Sequence, residues 1–296
     1  MRIAVVDIGG TSVKSGLWED DRLTDIRETD TNASRGGEYV MQTVLSILRE
    51  QKDVQAIGIS TAGQVNSAEG SIVYANENLP GYTGMKIRER LEKEFHVPVA
   101  VQNDVNSAAV GEGYYGAGKG HENFLCLTYG TGVGGAIVTG GKIYSGAGYS
   151  AGEFGAIVVH PEDRDVSRDS FSGCYERYAS TTALVQLLRR EYPEIKNGRE
   201  IFARLSEDGV RVLVDQWIGE IVYGLTTLVH IFNPSLIILG GGVMEQPYVM
   251  EKVKAQLKGQ IMSSFADVEI CPAKLGNTAG MLGAAQEALR HWKTCR

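Results

Sequence analysis

Asp7-Ile8-Gly9-Gly10-Thr11-Ser12-Val13-Lys14 follows the apolar run Ile3-Ala4-Val5-Val6, and Tyr129-Gly130-Thr131-Gly132-Val133-Gly134-Gly135 follows Phe124-Leu125-Cys126-Leu127. Each stretch predicts a strand, a turn nearly bare of side chains and a second apolar strand, Val13 to Trp18 in the first case and Ala136 to Thr139 in the second. Glycine permits positive φ and close backbone approach, so main-chain N–H groups can converge on an anion, and a threonine hydroxyl adds a donor. Either turn alone is equally compatible with an ordinary hairpin. Two of them, the first with an aspartate closing its strand, point to a duplicated nucleotide clamp.

The chain has 296 residues, and with domains of roughly 100–200 residues two are expected. Glycine is in excess at 37 residues without low-complexity runs, which implies many tight turns and backbone held against ligands. A formal charge of −7 argues against a polyanionic partner, so nucleic acid is not expected. Cys126, Cys174, Cys271 and Cys295 form no CxxC pair, and Cys126 lies in an apolar strand, as in a reduced interior. The N-terminus has no signal-peptide pattern and no apolar run approaches the ~18 residues of a membrane span. A cytoplasmic protein without a membrane partner is the expectation.

Along the first third, strands are predicted near 2–7, 13–18, 23–29, 56–60 and 97–102, with helices near 37–51, 84–95 and from 105. This is an α/β pattern opened by hairpins. Gly116-Ala117-Gly118-Lys119-Gly120 marks a domain boundary, giving an N-terminal domain over 1–118 and a second over 119–280. A second strand–hairpin–strand group at 123–144 repeats the architecture of the first. Helices near 173–192, 198–206 and 208–232, a strand at 236–239 ending in Gly240-Gly241-Gly242, a strand at 268–271 and a helix at 278–293 complete the reading. Residues 161–170 are charged and loop-like.

No GxxxxGK[ST] is present, which excludes a P-loop enzyme. Gly130, Gly132 and Gly135 satisfy GxGxxG, but a strand follows where a dinucleotide fingerprint needs a helix. A protein kinase is excluded by the lack of HRD and DFG. Val99-Ala100-Val101-Gln102-Asn103-Asp104 is a strand ending in a carboxylate at the start of a helix. Asp104 there is either the helix N-cap or a catalytic group at the carboxyl end of a strand, where ligands of open α/β sheets lie. Phosphoryl transfer needs positioning, charge neutralisation and a proton acceptor, which one such aspartate can supply.

Taken in order, DIGGT at 7–11, STAGQVN at 60–66, NLPG at 78–81, QNDVNSAA at 102–109, YGTGVGGA at 129–136, GEFG at 152–155, GCYERYAS at 173–180, LGGGV at 239–243 and AGMLGAA at 279–285 resemble the ROK family. That family comprises bacterial sugar kinases and related repressors. The resemblance implies an actin-like ATPase fold of ribonuclease-H-like α/β domains around a central cleft, with the C-terminal helix 281–296 rejoining the first domain. It implies ATP and Mg²⁺ as cofactors and a small-molecule sugar as partner, with a homodimer as a family-based expectation. Asp104 resembles the general base acting on the sugar 6-hydroxyl, and Gly63, Asn78, Asn103, Glu153 and Glu176 resemble the sugar contacts. Gly9, Gly10, Thr11, Thr131 and Gly132 would hold ATP phosphates, Gly240, Gly241 and Gly242 the adenosine edge, and Asp7 would organise Mg²⁺ through water. Lys14 is either a phosphate ligand or a surface charge.

Several positions depart from the family pattern. Ala156 stands where the family has a histidine that contacts sugar and binds zinc, and with Cys174 aligned to the last of three zinc cysteines, Ser167 and Asp169 occupy the other two positions. One ligand of four is too few for a closed tetrahedral site, so no zinc is expected. His160 nearby reads as a strand-end surface residue. GEFG without zinc resembles the β-glucoside kinases of the family more than its glucokinases, because a methyl group in place of imidazole opens space at the anomeric carbon. Glucokinase, fructokinase and N-acetylmannosamine kinase are the alternatives within the class. A non-catalytic sensor or regulator is the alternative class, and a start at residue 7 for DIGGT speaks against a preceding DNA-binding domain.

Overall fold

A computed structural model describes residues 1–295. β1 (Arg2–Ile8), β2 (Ser12–Glu19) and β3 (Arg22–Asp30) are followed by α1 (Gly37–Arg49), β4 (Ala56–Thr61), the short hairpin β5 (Gln64–Asn66) and β6 (Ser71–Tyr74), α2 (Ile87–Phe95), β7 (Val99–Asn103) and α3 (Asp104–Tyr115). Next come β8 (Phe124–Tyr129), β9 (Val133–Thr139) and β10 (Lys142–Ile143), then α4 (Glu176–Ala179), α5 (Thr181–Arg189), α6 (Gly198–Ala203) and α7 (Asp208–Phe232). β11 (Leu236–Gly240), α8 (Pro247–Lys258), β12 (Glu269–Pro272) and α9 (Ala279–Thr294) close the chain. Contacts group it into two compact units, residues 1–120, 142–151 and 275–296 in the first and 121–141 with 152–274 in the second.

The first sheet has the order β3-β2-β1-β4-β7 and the second β10-β9-β8-β11-β12. In the first, β1, β4 and β7 are parallel and β2 is antiparallel to β1; in the second, β8, β11 and β12 are parallel and β9 is antiparallel to β8. The plan is the same twice, so the two glycine turns join the equivalent strands of each sheet.

Parallel strands covered on both faces are apolar throughout, and alternate side chains serve opposite layers. Ala4, Val6 and Ile8 pack in one layer with Val40, Met41 and Val44 of α1. Ile3 and Val5 pack in the other with Met281, Leu282 and Ala285 of α9. α9 lies so close to its neighbours that three glycines are needed. A Cβ on Gly283 would overlap the Ser107 carbonyl of α3, one on Gly111 would overlap the Ala279 carbonyl, and one on Gly58 of β4 would overlap the Ala284 carbonyl.

Some elements differ from the predicted ones. The helix expected over 173–192 is two helices, because Ser180 turns into an extended conformation and its hydroxyl caps α5 by accepting the Ala183 N–H at 3.1 Å. The β5–β6 hairpin and α8 were not expected from the periodicity, although Pro247 at the first turn of α8 is a start signal. α7 is long and apolar enough to cross a membrane by length and composition alone. Trp217, Ile218, Ile221, Val222 and Leu225 on this helix are buried within the second unit, which accounts for its composition.

Candidate active site

Both glycine turns are buttressed from behind in the same way. In the first, the Thr31 N–H donates to the Thr11 carbonyl at 2.9 Å and the Thr31 hydroxyl to the Gly9 carbonyl at 2.7 Å. In the second, the Thr181 N–H donates to the Gly130 carbonyl and its hydroxyl to the Tyr129 carbonyl, each at 3.0 Å. With those carbonyls taken, the turns have N–H groups and the exposed Thr11 and Thr131 to present to an anion. Gly10, Gly130 and Gly242 have nothing within 4 Å of a hypothetical Cβ, so room is left over each turn. Neither threonine was singled out from sequence, since only the folded register brings Thr31 and Thr181 to these turns.

Positive φ is not what the glycines of these two turns provide: none of Gly9, Gly10, Gly130, Gly132, Gly134 or Gly135 adopts it. At Gly132 and Gly135 the requirement is close approach. A Cβ on Gly132 would lie 2.6 Å from Oε2 of Glu176, and one on Gly135 would meet the Gly152 carbonyl at 2.5 Å. In the third glycine run, Gly240 ends β11 and Gly241 does adopt φ +101°, its α-carbon pressed against the Tyr129 carbonyl. Gly241 and Gly242 are exposed on that turn.

Asp7 and Asp104 both sit at the carboxyl ends of parallel strands of the first sheet. Asp7 on β1 pairs in register with Ser60 on β4, whose hydroxyl donates to its Oδ1 at 2.6 Å. Lys14 is its cross-strand neighbour on β2, and this half-buried lysine is therefore not an isolated surface charge. A Cβ on Gly280, in the first turn of α9, would lie 3.0 Å from both Asp7 carboxylate oxygens, so that glycine keeps the carboxylate uncovered. Burial raises the Asp7 pKa, against the lowering effects of Ser60 and Lys14.

Asn103, not Asp104, caps α3. Its Oδ1 accepts the N–H groups of Val105 and Asn106 at 3.0 and 3.1 Å, and its amide donates to the Gly63 carbonyl and to Asp104 Oδ1 at 2.9 and 2.8 Å. Gly63 itself holds φ +95° with the Tyr74 carbonyl 2.8 Å from where a Cβ would be. Asp104 is thereby relieved of capping and held from one side by Asn103 and the Val105 N–H. Burial first, and then the charge of Asp7, push its pKa up to about 6, against the Val105 and Asn103 hydrogen bonds. A carboxylate poised near neutrality is suited to accept a proton.

In the second unit Glu176 opens α4. Its carboxylate faces the Val133 N–H and lies against Gly132 and Gly155, whose Cβ would come 2.6 and 3.1 Å from Oε2. Burial raises its pKa, opposed by Arg177 and the Val133 bond. Glu153 and Ala156 of the same unit are exposed, and Asn78 is exposed in the first unit. The segment that contains the charged residues 161–170 is tied by polar contacts. Nη1 of Arg164 donates to the carbonyls of Ser170 and Ser172 at 2.8 and 2.7 Å and to Cys174 Sγ at 3.3 Å, while Asp169 pairs with Arg177 at 2.8 Å. His160 is half-buried, with Glu220 at 2.8 Å and Glu162 at 2.9 Å, rather than a free strand-end residue. Burial works against its charged form, but those two carboxylates outweigh it and raise its pKa.

Two sheets of one plan, each with a buttressed glycine turn, and a carboxylate pair at the strand ends of the first define an α/β protein of the actin-like ATPase fold. The chain belongs to the ROK family, whose profile matches residues 3–291. A beta-glucoside kinase of Listeria monocytogenes is 34% identical over 307 residues, covering 98% of this chain and 100% of that one. A glucokinase of Thermotoga maritima is 29% identical over 307 residues, covering 96% of each. The structure of a ROK family glucokinase from Streptomyces griseus in complex with glucose and AMPPNP aligns with a TM-score of 0.83 at 28% identity, covering 98% of this chain and 100% of that one.

Proposed function

We propose the 6-hydroxyl of a hexose, or of the glucosyl unit of a β-glucoside, as the acceptor of this ATP-dependent sugar kinase. The observation that carries the reading is the Asp7–Asp104 pair at the carboxyl ends of β1 and β7, the two parallel strands that flank β4, with the Asp104 pKa pushed up to about 6. In this reading Asp104 takes the proton of the sugar hydroxyl, and Asn103 holds Asp104 in place while contacting sugar together with Gly63, Asn78, Glu153 and Glu176. Gly9, Gly10, Thr11 and Lys14, with Thr131 and Gly132, hold the phosphates of ATP, and Gly240 to Gly242 border the adenosine. The sequence-based division, 1–118 with 281–296 as the sugar and phosphate domain and 119–280 as the nucleotide domain, is kept in this reading except that 142–151 and 275–280 group with the first unit.

Asp7 fits a role in holding Mg²⁺: its carboxylate is left uncovered by Gly280, and Ser60 binds only one of its oxygens. Magnesium, when bound, would neutralise the charge of the transferring phosphoryl group. The zinc-loop residues do not suit zinc, because a guanidinium cation already lies beside the one retained thiol and Asp169 is paired with Arg177. Elemental analysis of the purified protein should find no stoichiometric zinc, and a zinc chelator followed by fresh Mg²⁺ should leave activity intact. One zinc per chain would overturn this.

The exposed methyl of Ala156 supports tolerance of an aglycone at the anomeric carbon, as does the similarity to a beta-glucoside kinase. An ADP-release screen with MgATP against glucose, mannose, fructose, N-acetylmannosamine, cellobiose and a β-glucoside tests the reading. Cellobiose or the β-glucoside should be used at least comparably to glucose. Rejection of every anomerically substituted sugar returns the substrate to a free hexose, and no ADP release with any sugar overturns the acceptor class.

A further inference from the structure

Glu176 lies directly against the turn that carries Thr131 and Gly132. Its carboxylate faces the Val133 N–H, and it fills the space that a side chain at position 132 would need, Oε2 lying 2.6 Å from where that Cβ would be. A second connection joins the same two segments one residue earlier. Tyr175 and Tyr129, both fully buried, bond through their hydroxyls at 2.8 Å, and the Tyr175 hydroxyl also donates to the Ile221 carbonyl of α7 at 2.8 Å. The Tyr175 ring packs against Gly224 on that helix, where a Cβ would overlap it. Residues 129–133 and 175–176 are thus joined at a buried hydroxyl pair backed by α7 and at the close approach of the Glu176 carboxylate to Gly132 and the Val133 N–H.

We infer that Glu176 is a positioning residue for the nucleotide turn 130–133, in addition to its proposed contact with sugar. The inference rests on the kinase reading for the identity of the ligand at that turn. Glycine at 132 is then required by the Glu176 carboxylate and not by the phosphate. The conformation of the turn, and hence nucleotide affinity, depends on Glu176 even when no sugar is present.

Calorimetric titration of the full chain with MgADP, without any sugar, tests this. Glu176→Ala should weaken MgADP roughly tenfold, the scale of one lost charge-assisted hydrogen bond. Glu176→Gln, whose amide oxygen can still accept the Val133 N–H, should recover most of that loss. Gly132→Ala should weaken MgADP in the otherwise native chain, where the methyl group meets the carboxylate, but cost nothing further in a Glu176→Ala background. Unchanged MgADP affinity in Glu176→Ala would overturn the inference while leaving the kinase reading standing. So would an equal cost of Gly132→Ala in both backgrounds, since the methyl group would then be meeting the phosphate. A native chain that binds no MgADP would overturn the nucleotide role of this turn itself, and the inference with it.

Discussion

Asp104→Asn is expected to lower kcat by about 10²–10⁴, the usual contribution of a general base, while sugar affinity is largely kept. The substitution preserves size and leaves an acceptor for the Val105 N–H and a polar partner for Asn103. What it removes is the carboxylate lone pair that takes the proton. The native enzyme should show a rate that rises with pH through about 6 and then levels off, because the base must be ionised to work and its pKa is pushed up to about 6. In Asp104→Asn that limb should vanish from the residual rate. Activity near the native level would leave Asp104 without the catalytic role.

The same carboxylate has a consequence for stability, opposite in sign to that of a salt-bridged aspartate. Its folded-state pKa of about 6 lies above the ordinary value of 3.8, so between those values the folded chain binds more protons than the unfolded one. Stability from this group is therefore full at low pH and falls as pH rises toward 6. Asp104→Asn removes an ionised, desolvated group and should melt at or above the native temperature at pH 7.5. A large activity loss with no loss of melting temperature would separate catalysis from folding.

Gly283→Val is expected to have the largest structural effect. Position 283 is where α9 crosses α3, and any Cβ there overlaps the Ser107 carbonyl, which is backbone and cannot rotate away. The helices must separate, and Met281, Leu282 and Ala285 on the same helix would lose packing against Ile3 and Val5 of β1. Overpacking of this kind costs on the order of 3 kcal/mol, which lowers the melting temperature by roughly 5 °C in a chain of this size. Thermal unfolding followed by circular dichroism measures it. The displacement would also reach Gly280, which borders Asp7, so activity should fall alongside stability. A melting temperature within a degree or two of native would mean that the close crossing carries little of the stability.

Much of the chain's architecture is legible in order and pattern. The apolar runs at 3–6 and 124–127, each followed by a nearly side-chain-free turn and a second apolar run, specify two strand–turn–strand units, because alternation and glycine placement act over a few residues. The strand ending at Asp104 and the helix after it are equally local. Less legible were the segments whose structure depends on one capping residue or on distant pairing. Ser180 breaks a continuous helical pattern by its hydroxyl alone, and β5 and β6 are too short for a period to show. The division of labour at Asn103-Asp104 was likewise hidden, since both residue types are good caps and only the backbone geometry selects Asn103.

The family, most of the strands and helices in their order and the chemical types available for phosphoryl transfer can be read from local pattern and motif. Tertiary structure alone decided which groups meet. Ser60 reaches Asp7 through the parallel register of β1 and β4, Thr31 and Thr181 reach the two glycine turns, and Glu176 reaches Val133 across 43 positions of sequence. It also separated the two uses of glycine, close approach at Gly132 and Gly135 and positive φ at Gly63 and Gly241. The physical cause is that hydrogen bonds and steric limits act over a few ångströms in space, whatever the separation along the chain, and that proximity exists only once the sheets and α9 have packed.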